Sequence, residues 1–213
     1  MTAPTGPVLV LGTTSSGKLR ELRRIIEPLR IVCRALANVP GAVDVDETGT
    51  TFAANAALKA AAQARACRAW VLAEDSGLCV AALGGAPGIR SARFAGEPRD
   101  DAANNRLLLE RLADATDRTA HYACYAALAS PDGAIVATSH GECHGVITAA
   151  PAGTGGFGYD PLFVVPEYHR TFGTLPGTVK DLISHRARAI RAISGDLLRH
   201  LRPAASCLPP TGR

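Results

Sequence analysis

Two adjacent carboxylates, Glu74 and Asp75, follow a short apolar run at residues 69–72 and precede a segment rich in glycine and arginine. The run has the composition of a buried strand, and Ser76 and Gly77 predict a turn directly after the acids. Acids at a strand end beside a glycine-rich loop with cations are a common arrangement for a metal-assisted phosphate site. The alternative is an ordinary Asp-Ser-Gly turn in which Asp75 caps its own backbone.

A second segment suited to anions, GTTSSGK at residues 12–18, lies between an apolar run at 8–11 and a helical pattern that starts near Ser16. Strand, loop and helix in this order present backbone N–H groups and the positive helix end to an anion, and Lys18 adds a charge. The segment nearly matches the P-loop pattern, but Leu19 stands where a hydroxyl group would bind magnesium. We therefore expect phosphate binding without a P-loop fold. A plain helix N-terminus with a solvated lysine is the alternative.

Asn55 and Lys59 lie four residues apart in an alanine-rich segment that Thr50 or Thr51 can cap as a helix. That spacing places both side chains on one helix face. An acidic loop containing Glu47 precedes the helix, so these side chains could line a phosphate cleft. The alternative is a solvated lysine beside a local cap.

The glycine-rich segment at 151–161 carries Phe157, Tyr159 and Asp160. Its glycines allow the backbone to approach a ligand closely, and two aromatic rings and an acid offer a stacking face and a hydrogen-bond acceptor for a base. A flexible hairpin tip is the alternative.

The last helical pattern begins after Ser184, a capping residue, and has His185 and Arg186 in its first turn. Cations at a helix N-terminus oppose the helix dipole, so local stability does not explain Arg186 there. Contact with a ligand would explain it.

Composition narrows the class of protein. The chain has 213 residues, 47% hydrophobic and 20% charged, which indicates a globular α/β protein. The net charge of +4 suits a small polyanion, and no basic run interleaved with aromatics points to nucleic acid. No apolar stretch reaches the ~20 residues of a membrane span, and the first residues lack a signal-peptide pattern. The six cysteines have no metal-ligand spacing and are expected to be reduced, as in a cytoplasmic protein.

The remaining patterns define the expected fold. Helical spacing at 100–112 and two strands at 120–130 and 134–147, joined by a Pro-Asp-Gly turn, predict a helix and an antiparallel hairpin. The expected fold class is α/β, with a central mixed sheet flanked by helices. We assign residues 1–202 to one domain and residues 203–213 to a Pro-rich tail that is expected to be disordered.

Five blocks, in order, resemble the inosine triphosphate pyrophosphatase family of noncanonical purine nucleotide pyrophosphatases. The matching blocks are Thr13 to Glu21, Glu47 to Ala60, Ala73 to Arg93, Gly153 to Phe163 and Lys180 to Arg186. The third and fourth blocks, with AEDSGL, GGAPGIRSAR and GTGGFGYDPLF, are long and specific. This sequence departs from the family pattern at Ser15, where Asn is usual, and at Thr174, where Glu is usual.

The resemblance implies a fold of two lobes with the active site in the cleft between them, and usually a homodimer. It also implies hydrolysis of ITP, dITP, XTP and dXTP to the monophosphate and pyrophosphate, which removes these compounds from the nucleotide pool. The expected partners are small purine nucleotides, with no nucleic acid and no membrane. The expected cofactor is Mg2+, since a triphosphate needs a divalent metal and cations to accept attack by water.

The resemblance and the residue chemistry together imply specific roles. Asp75 is the candidate to bind the metal and to orient or deprotonate the water, and the candidate metal ligands are Glu47, Glu74 and Asp75. Lys180, His185 and Arg186 would read the base, because Lys and Arg present only donors and a 6-oxopurine offers an acceptor where adenine has an amino group. The residues expected to contact the substrate are Thr13, Thr14, Ser15, Ser16, Gly17, Lys18, Asn55, Lys59, Ser76, Arg93, Phe157, Gly158, Tyr159, Asp160, Lys180, His185 and Arg186.

Two alternatives belong to other classes. A P-loop kinase or ATPase would make Lys18 dominant, and Leu19 argues against it. A nucleotide-binding module without turnover would not need the lysines and the carboxylates together.

Overall fold

The computed structural model describes residues 7–201, and the predicted tail at 203–213 lies outside them. The helices are α1 (Ser16–Ile26), α2 (Phe52–Cys67), α3 (Asp101–Arg111), α4 (Gly177–Ile183) and α5 (His185–Leu201). The strands are β1 (Leu9–Leu11), β2 (Cys33–Ala35), β3 (Trp70–Val80), β4 (Thr119–Ala129), β5 (Ile135–Ile147), β6 (Phe163–Val165) and β7 (Arg170–Thr171).

The seven strands form one mixed sheet in the order β2-β1-β3-β4-β5-β6-β7. Strand β1 runs parallel to both β2 and β3, whereas β3 to β7 pair with their neighbours in antiparallel fashion. The predicted α/β class with a central mixed sheet flanked by helices is therefore confirmed, as are the long hairpin of β4 and β5 and the helices α1, α2, α3 and α5. Strand β7 and helix α4 were not predicted.

The predicted turn after Asp75 is wrong. Strand β3 continues through Ser76 and Gly77 to Val80 and pairs with β4 over this whole length. A Cβ atom on Gly77 would collide with Ser91 and with the backbone of Gly88. The glycine therefore serves the close packing of the 88–93 turn on the strand, which is a second common use of glycine in strands.

Helices cover both faces of the sheet. On one face, α1 and α5 bury leucine and isoleucine side chains against β1, β3 and β4. On the other, α2 packs Ala56, Ala60 and Ala64 against Val71 and the alanines of β3 and β4. Small residues on both sides allow α2 to approach the sheet closely, and this brings the polar side chains at its N-terminal end within reach of β3. No helix among residues 7–201 is long and apolar enough to cross a membrane.

The two predicted helix caps, Thr51 and Ser184, are present, and Ser15 caps α1 without having been predicted. The hydroxyl of Ser15 accepts the N–H of Lys18 at the start of α1, and Thr51 accepts the N–H of Ala54 at the start of α2. Ser184 accepts the N–H of Ala187 in the first turn of α5. These bonds define where each helix begins, and they place Lys18 and Arg186 in first turns, as predicted.

Candidate active site

Glu74 and Asp75 lie side by side in β3, and because side chains alternate along a strand they point to opposite faces of the sheet. Glu74 contacts Lys18 of α1 and Arg186 of α5. Asp75 contacts Lys59 of α2. The two acids thus form ion pairs with cations from three helices that pack on the two faces of the sheet.

On the α2 face, Lys59 joins two carboxylates. Its Nζ lies 3.1 Å from Asp75 Oδ1 and 2.7 Å from Glu47 Oε1. Asn55 donates from Nδ2 to Asp75 Oδ2 at 3.3 Å, and its Oδ1 accepts the N–H of Gly49 at 2.8 Å. Asn55 therefore ties the acidic loop to the strand, and it places Glu47 next to Asp75.

Burial raises the pKa of Asp75, and the charges of Lys59 and Lys18 oppose that rise. Burial lowers the pKa of Lys59, but Asp75 and Glu47 outweigh it, so this pKa is raised. Asp75 thus binds a proton more readily than an ordinary aspartate does, which suits a general base.

On the opposite face, Glu74 belongs to a buried network of ions. Arg186 donates from Nε to Glu74 Oε1 at 3.1 Å and from Nη2 to Ser76 Oγ at 2.9 Å, and its Nη1 forms an ion pair with Glu21. Lys18 Nζ lies 3.4 Å from Glu74 Oε1. Burial alone would raise the pKa of Glu74, but the charges of Arg186 and Lys18 hold it well below its usual range.

The three carboxylates differ in how well they fit a divalent metal. Glu47 and Asp75 converge on one cation, the Lys59 ammonium, so two hard oxygen donors meet at one point. Glu74 is instead held by Lys18 and Arg186. No group of three or more His, Cys, Asp or Glu side chains within residues 7–201 is arranged to hold a metal ion. The donor set of Glu47 and Asp75 fits magnesium, whereas Glu74 acts here as the centre of an ion network.

A cavity beside these ions has an aromatic wall. Phe157 lines it together with Lys18, Asp75 and Ser76. Lys180 Nζ lies 4.8 Å from the centre of the Phe157 ring, and Arg186 Cζ lies 5.7 Å from it. The cavity therefore extends from the Asp75 carboxylate to an aromatic ring, with cations along its side.

The position of Phe157 depends on Asp160. Asp160 Oδ2 accepts the N–H of Phe157 at 2.8 Å and forms a buried ion pair with Lys180. Lys180 also contacts Glu21 at 2.8 Å. Burial raises the pKa of Asp160, and Lys180 opposes that rise. Lys180 is thus held in place under the ring by two acids.

His185 is a buried neutral base in the same cavity. Its ring stacks on Tyr122 at 4.6 Å. Its Nδ1 atom has no hydrogen-bond partner among the residues described. Burial, followed by the charges of Arg186 and Lys180, lowers its pKa well below the usual value. A buried polar atom without a partner is rare in proteins, and it is consistent with a partner supplied by a ligand.

A sequence model of the Ham1 family matches residues 9–195. The chain belongs to the Ham1 family. A Rhodopirellula baltica protein named dITP/XTP pyrophosphatase is 51% identical over 193 residues, which cover 90% of this chain and 93% of that protein. A Desulforamulus reducens protein of the same name is 49% identical over 185 residues, 86% of this chain and 92% of that protein. The family resemblance found in the sequence is thus confirmed.

Solved structures agree with this membership. The HAM1 protein from Coxiella burnetii superposes with a TM-score of 0.81 at 38% identity, covering 91% of this chain and 99% of that one. A nucleoside-triphosphatase/dITP/XTP pyrophosphatase from Mycobacterium abscessus gives a TM-score of 0.70 at 39% identity, covering 87% of this chain and 97% of that one.

In this Ham1-family chain, most predicted site residues come together. The cavity with the aromatic wall is lined by Lys18, Asp75, Ser76, Phe157, Gly158, Tyr159, Asp160, Lys180, His185 and Arg186. Thr13 and Thr14 line an adjoining pocket with Glu47 and Lys59. Ser15, Ser16 and Gly17 line a depression on the outer side of Phe157. Arg93 is not among the residues that line these pockets, and its half-exposed side chain pairs with Glu97 at 3.2 Å.

The partial P-loop pattern has a different explanation in the structure. Helix α1 begins at Ser16, so Gly17 and Lys18 lie in its first turn. A Cβ atom on Gly17 would lie only 2.7 Å from Cδ1 of Phe157. The glycine therefore gives the aromatic ring room against the helix. Lys18 reaches across to Glu74 in β3.

Sequence reasoning assigned no role to Glu21, whose carboxylate forms ion pairs with both Lys180 and Arg186. One unused signal was the scarcity of lysine, since the chain contains only three lysines among its 23 Lys and Arg residues. All three lysines, Lys18, Lys59 and Lys180, lie in this site and contact acids there.

Proposed function

We propose that this chain hydrolyses noncanonical purine nucleoside triphosphates, namely ITP, dITP, XTP and dXTP, to the nucleoside monophosphate and pyrophosphate. The observation that carries the proposal is the cavity that joins Asp75 of β3 and Lys18 of α1 to the aromatic wall at Phe157, with Lys59 of α2 bound to the same Asp75. The names of relatives that are 45–51% identical over most of their length support it. The reaction would remove these nucleotides from the cytoplasmic pool.

The reaction breaks the α–β anhydride bond of the triphosphate. One water molecule supplies OH to one phosphoryl group, and its proton passes to a base. Asp75 is the proposed base, because its carboxylate is largely buried and is held at both oxygens by Lys59 and Asn55. Its raised pKa lowers the cost of accepting that proton.

The lysines are the proposed clamps for the phosphates. Lys18 and Lys59 lie on the two sides of β3, and each now neutralises a carboxylate. A bound polyphosphate would take over part of this charge, as cations and backbone N–H groups commonly do for phosphoryl groups. Thr13, Thr14, Ser15 and Ser16 supply polar groups in the adjoining pockets.

Glu47 and Asp75 are the proposed ligands of Mg2+, with Glu74 held nearby in the ion network. When bound, Mg2+ would neutralise the negative charge that develops on the phosphoryl oxygens. Lys59 holds both carboxylates toward one point, so the two acids are already oriented for a cation.

The base would lie against Phe157. Lys180, His185 and Arg186 line that end of the cavity. Lys180 and Arg186 offer only donors, which favours the acceptor at position 6 of hypoxanthine and xanthine over the amino group of adenine. Tyr159 supports the wall from behind, with its hydroxyl group donating to Ser91 O at 2.8 Å.

The test is pyrophosphate release from dITP, XTP, GTP and ATP with magnesium, by wild type, Asp75→Asn and the control Asp196→Asn, a partly exposed acid in α5 that pairs with Arg199. We expect release from dITP and XTP to exceed that from ATP by at least about a hundredfold. EDTA should abolish release, and magnesium should restore it. Asp75→Asn should lose most of the activity, and Asp196→Asn should keep it.

Other outcomes would identify a different class. Orthophosphate from ATP would favour a kinase-like or ATPase site at Lys18. Tight binding without release of any product would favour a nucleotide-binding module.

Light scattering on the same samples tests the proposed homodimer, for which we expect twice the mass of the 22.1 kDa chain.

A further inference from the structure

Helix α3 contacts the segment that carries the aromatic wall through both peptide groups of one residue. Asp101 Oδ2 accepts the N–H of Gly158 at 2.7 Å. Asn105 Nδ2 donates to the carbonyl of the same glycine at 3.0 Å. Asp101 and Asn105 are four residues apart in α3 and so lie on one face of the helix.

Gly158 directly follows Phe157 and has a φ of +61°. A residue in this left-handed conformation turns the chain sharply, and glycine adopts it at no steric cost. The N–H of Phe157 is already held by Asp160. The backbone around the aromatic ring is therefore fixed from two directions, by Asp160 on the Lys180 side and by α3 on the other.

The side chain of Asn105, which donates to the Gly158 carbonyl, also carries a polar atom without a partner. Asn105 Oδ1 is buried and accepts no hydrogen bond within the described part of the chain. A buried amide oxygen without a donor is unfavourable, and a leucine at this position would avoid that penalty. The amide group is therefore explained by its bond to Gly158 and not by helix stability.

Asp101 also faces the cavity. It lines the cavity together with Arg99 and Phe157, and Arg99 Nε lies 3.3 Å from Asp101 Oδ1. One oxygen of Asp101 thus holds the Gly158 backbone and the other faces an arginine at the entrance to the site.

We infer that Asp101 and Asn105 are positioning residues that hold Phe157 in place for the purine base through the two peptide groups of Gly158. The inference rests on the proposed function for its kinetic consequence. The two hydrogen bonds themselves can be tested without any substrate.

Each position has one damaging and one conservative variant. Asp101→Ala removes the acceptor, and Asp101→Asn restores it without the charge. Asn105→Asp replaces the donor by an oxygen that repels the Gly158 carbonyl, and Asn105→Gln retains a donor. Asp100→Ala is the matched control, because Asp100 caps α3 by accepting the N–H groups of Ala102 and Ala103. It should lower the Tm by about 2–4 °C and leave both bonds to Gly158 intact.

The first measurement is amide hydrogen exchange in the peptide that contains Gly158, in the absence of nucleotide. We expect exchange to rise about fivefold or more in Asp101→Ala and Asn105→Asp, which is the effect of losing one hydrogen bond. Asp101→Asn should restore the slow exchange. Unchanged exchange in Asp101→Ala and Asn105→Asp would overturn the inference, whatever the enzyme turns out to hydrolyse.

The second measurement distinguishes weaker binding of the base from weaker binding of the phosphates. In Asp101→Ala and Asn105→Asp, KM for dITP should rise about fivefold to thirtyfold with kcat within about twofold. The inhibition constant of inorganic tripolyphosphate, which has no base, should stay the same. Equal losses for dITP and tripolyphosphate, or a rise in KM in Asp100→Ala as large as in Asp101→Ala, would show a general effect of helix stability and overturn the inference.

The two measurements also separate this inference from the proposed function. A wild type that releases pyrophosphate from no purine nucleotide would refute the proposed function, and hydrogen exchange would still decide whether α3 holds Gly158. Activity on dITP with an unchanged KM in both damaging variants would refute the positioning role alone.

Discussion

The guanidinium of Arg186 and the carboxylate of Glu74 form a buried ion pair, with Nε 3.1 Å from Oε1. The pair joins the first turn of α5 to β3, and both side chains are almost completely inaccessible to solvent. Glu21 binds the same guanidinium from α1. Charge at the start of α5, which the helix dipole disfavours, is thus compensated by two buried acids.

Replacement of Arg186 by Met should destabilise the fold, because Glu21 and Glu74 would lose their shared cation while remaining buried. We expect a loss of about 3–5 kcal/mol in the free energy of unfolding, measured by urea denaturation at pH 7.5. Arg199→Met is the control, since Arg199 is exposed and, among residues 7–201, forms its ion pair with Asp196 alone. It should change the free energy by less than about 1 kcal/mol, and equal losses in the two variants would contradict the structure.

Lys59 offers a test of the α2 face. Lys59→Gln removes the cation that holds Glu47 and Asp75 together. We expect kcat/KM for dITP to fall by about 10–100-fold, measured by pyrophosphate release at saturating magnesium. The control is Arg65→Gln on the same helix, since Arg65 Nε donates to the backbone carbonyl of Asp132, away from Glu47 and Asp75. A similar loss in both variants would point to damage to α2 and not to the site.

Much of this arrangement could be predicted from the sequence. Helical spacing and caps located α1, α2 and α5, so Lys18, Lys59 and Arg186 were placed correctly on their helices. The sequence predicts too short a strand through Glu74, because Gly77 is typical of a turn. With the strand intact, the alternation of side chains would have separated Glu74 from Asp75 onto opposite faces.

The sequence could not predict which residues form these ion pairs and hydrogen bonds, for a physical reason. Arg186 and Glu74 are 112 residues apart, and their contact depends on how α5 packs on the sheet. The same holds for Asp101, whose bond to Gly158 spans 57 residues. No local spacing encodes such contacts, whereas the i, i+4 pair of Asn55 and Lys59 was predictable from its helix alone.

The stability of the protein should depend on pH through His185. Burial and the charges of Arg186, Lys180 and Lys18 lower the pKa of His185 in the folded state, and Glu74 only partly opposes them. The ordinary pKa of histidine is 6.5. Below that pH the unfolded chain binds a proton at this residue, and the folded protein does not. Stability therefore falls as the pH decreases from 7.5 to 5.5, by about 1 kcal/mol between pH 6.5 and 5.5.

The measurement is urea denaturation at pH 7.5, 6.5 and 5.5 for wild type, His185→Gln and His140→Gln. His185→Gln should lose this part of the pH dependence, because glutamine does not titrate. His140 lies exposed on β5, and its variant should keep the wild-type slope. An unchanged slope in His185→Gln would show that other groups cause the dependence.

Gly17 links α1 to the aromatic wall, and its replacement should separate stability from substrate binding. In Gly17→Ala the new Cβ would lie 2.7–3.0 Å from three atoms of the Phe157 ring, so the ring must move. Alanine is the better helix former by up to about 1 kcal/mol, which offsets the cost of moving the ring. We therefore expect KM for dITP to rise about tenfold while the Tm changes by only about 2 °C.

Gly195→Ala in α5 is the matched control, because no atom of the described residues lies within 4 Å of its added Cβ. This variant should raise the Tm and leave KM as in wild type. Thermal unfolding and steady-state kinetics on the same preparations provide both readouts. If Gly17→Ala keeps the wild-type KM, the ring at Phe157 does not contact the base, and the purine must bind elsewhere in the cavity. If KM rises only in Gly17→Ala, the position of Phe157 against α1 determines how well the base is held.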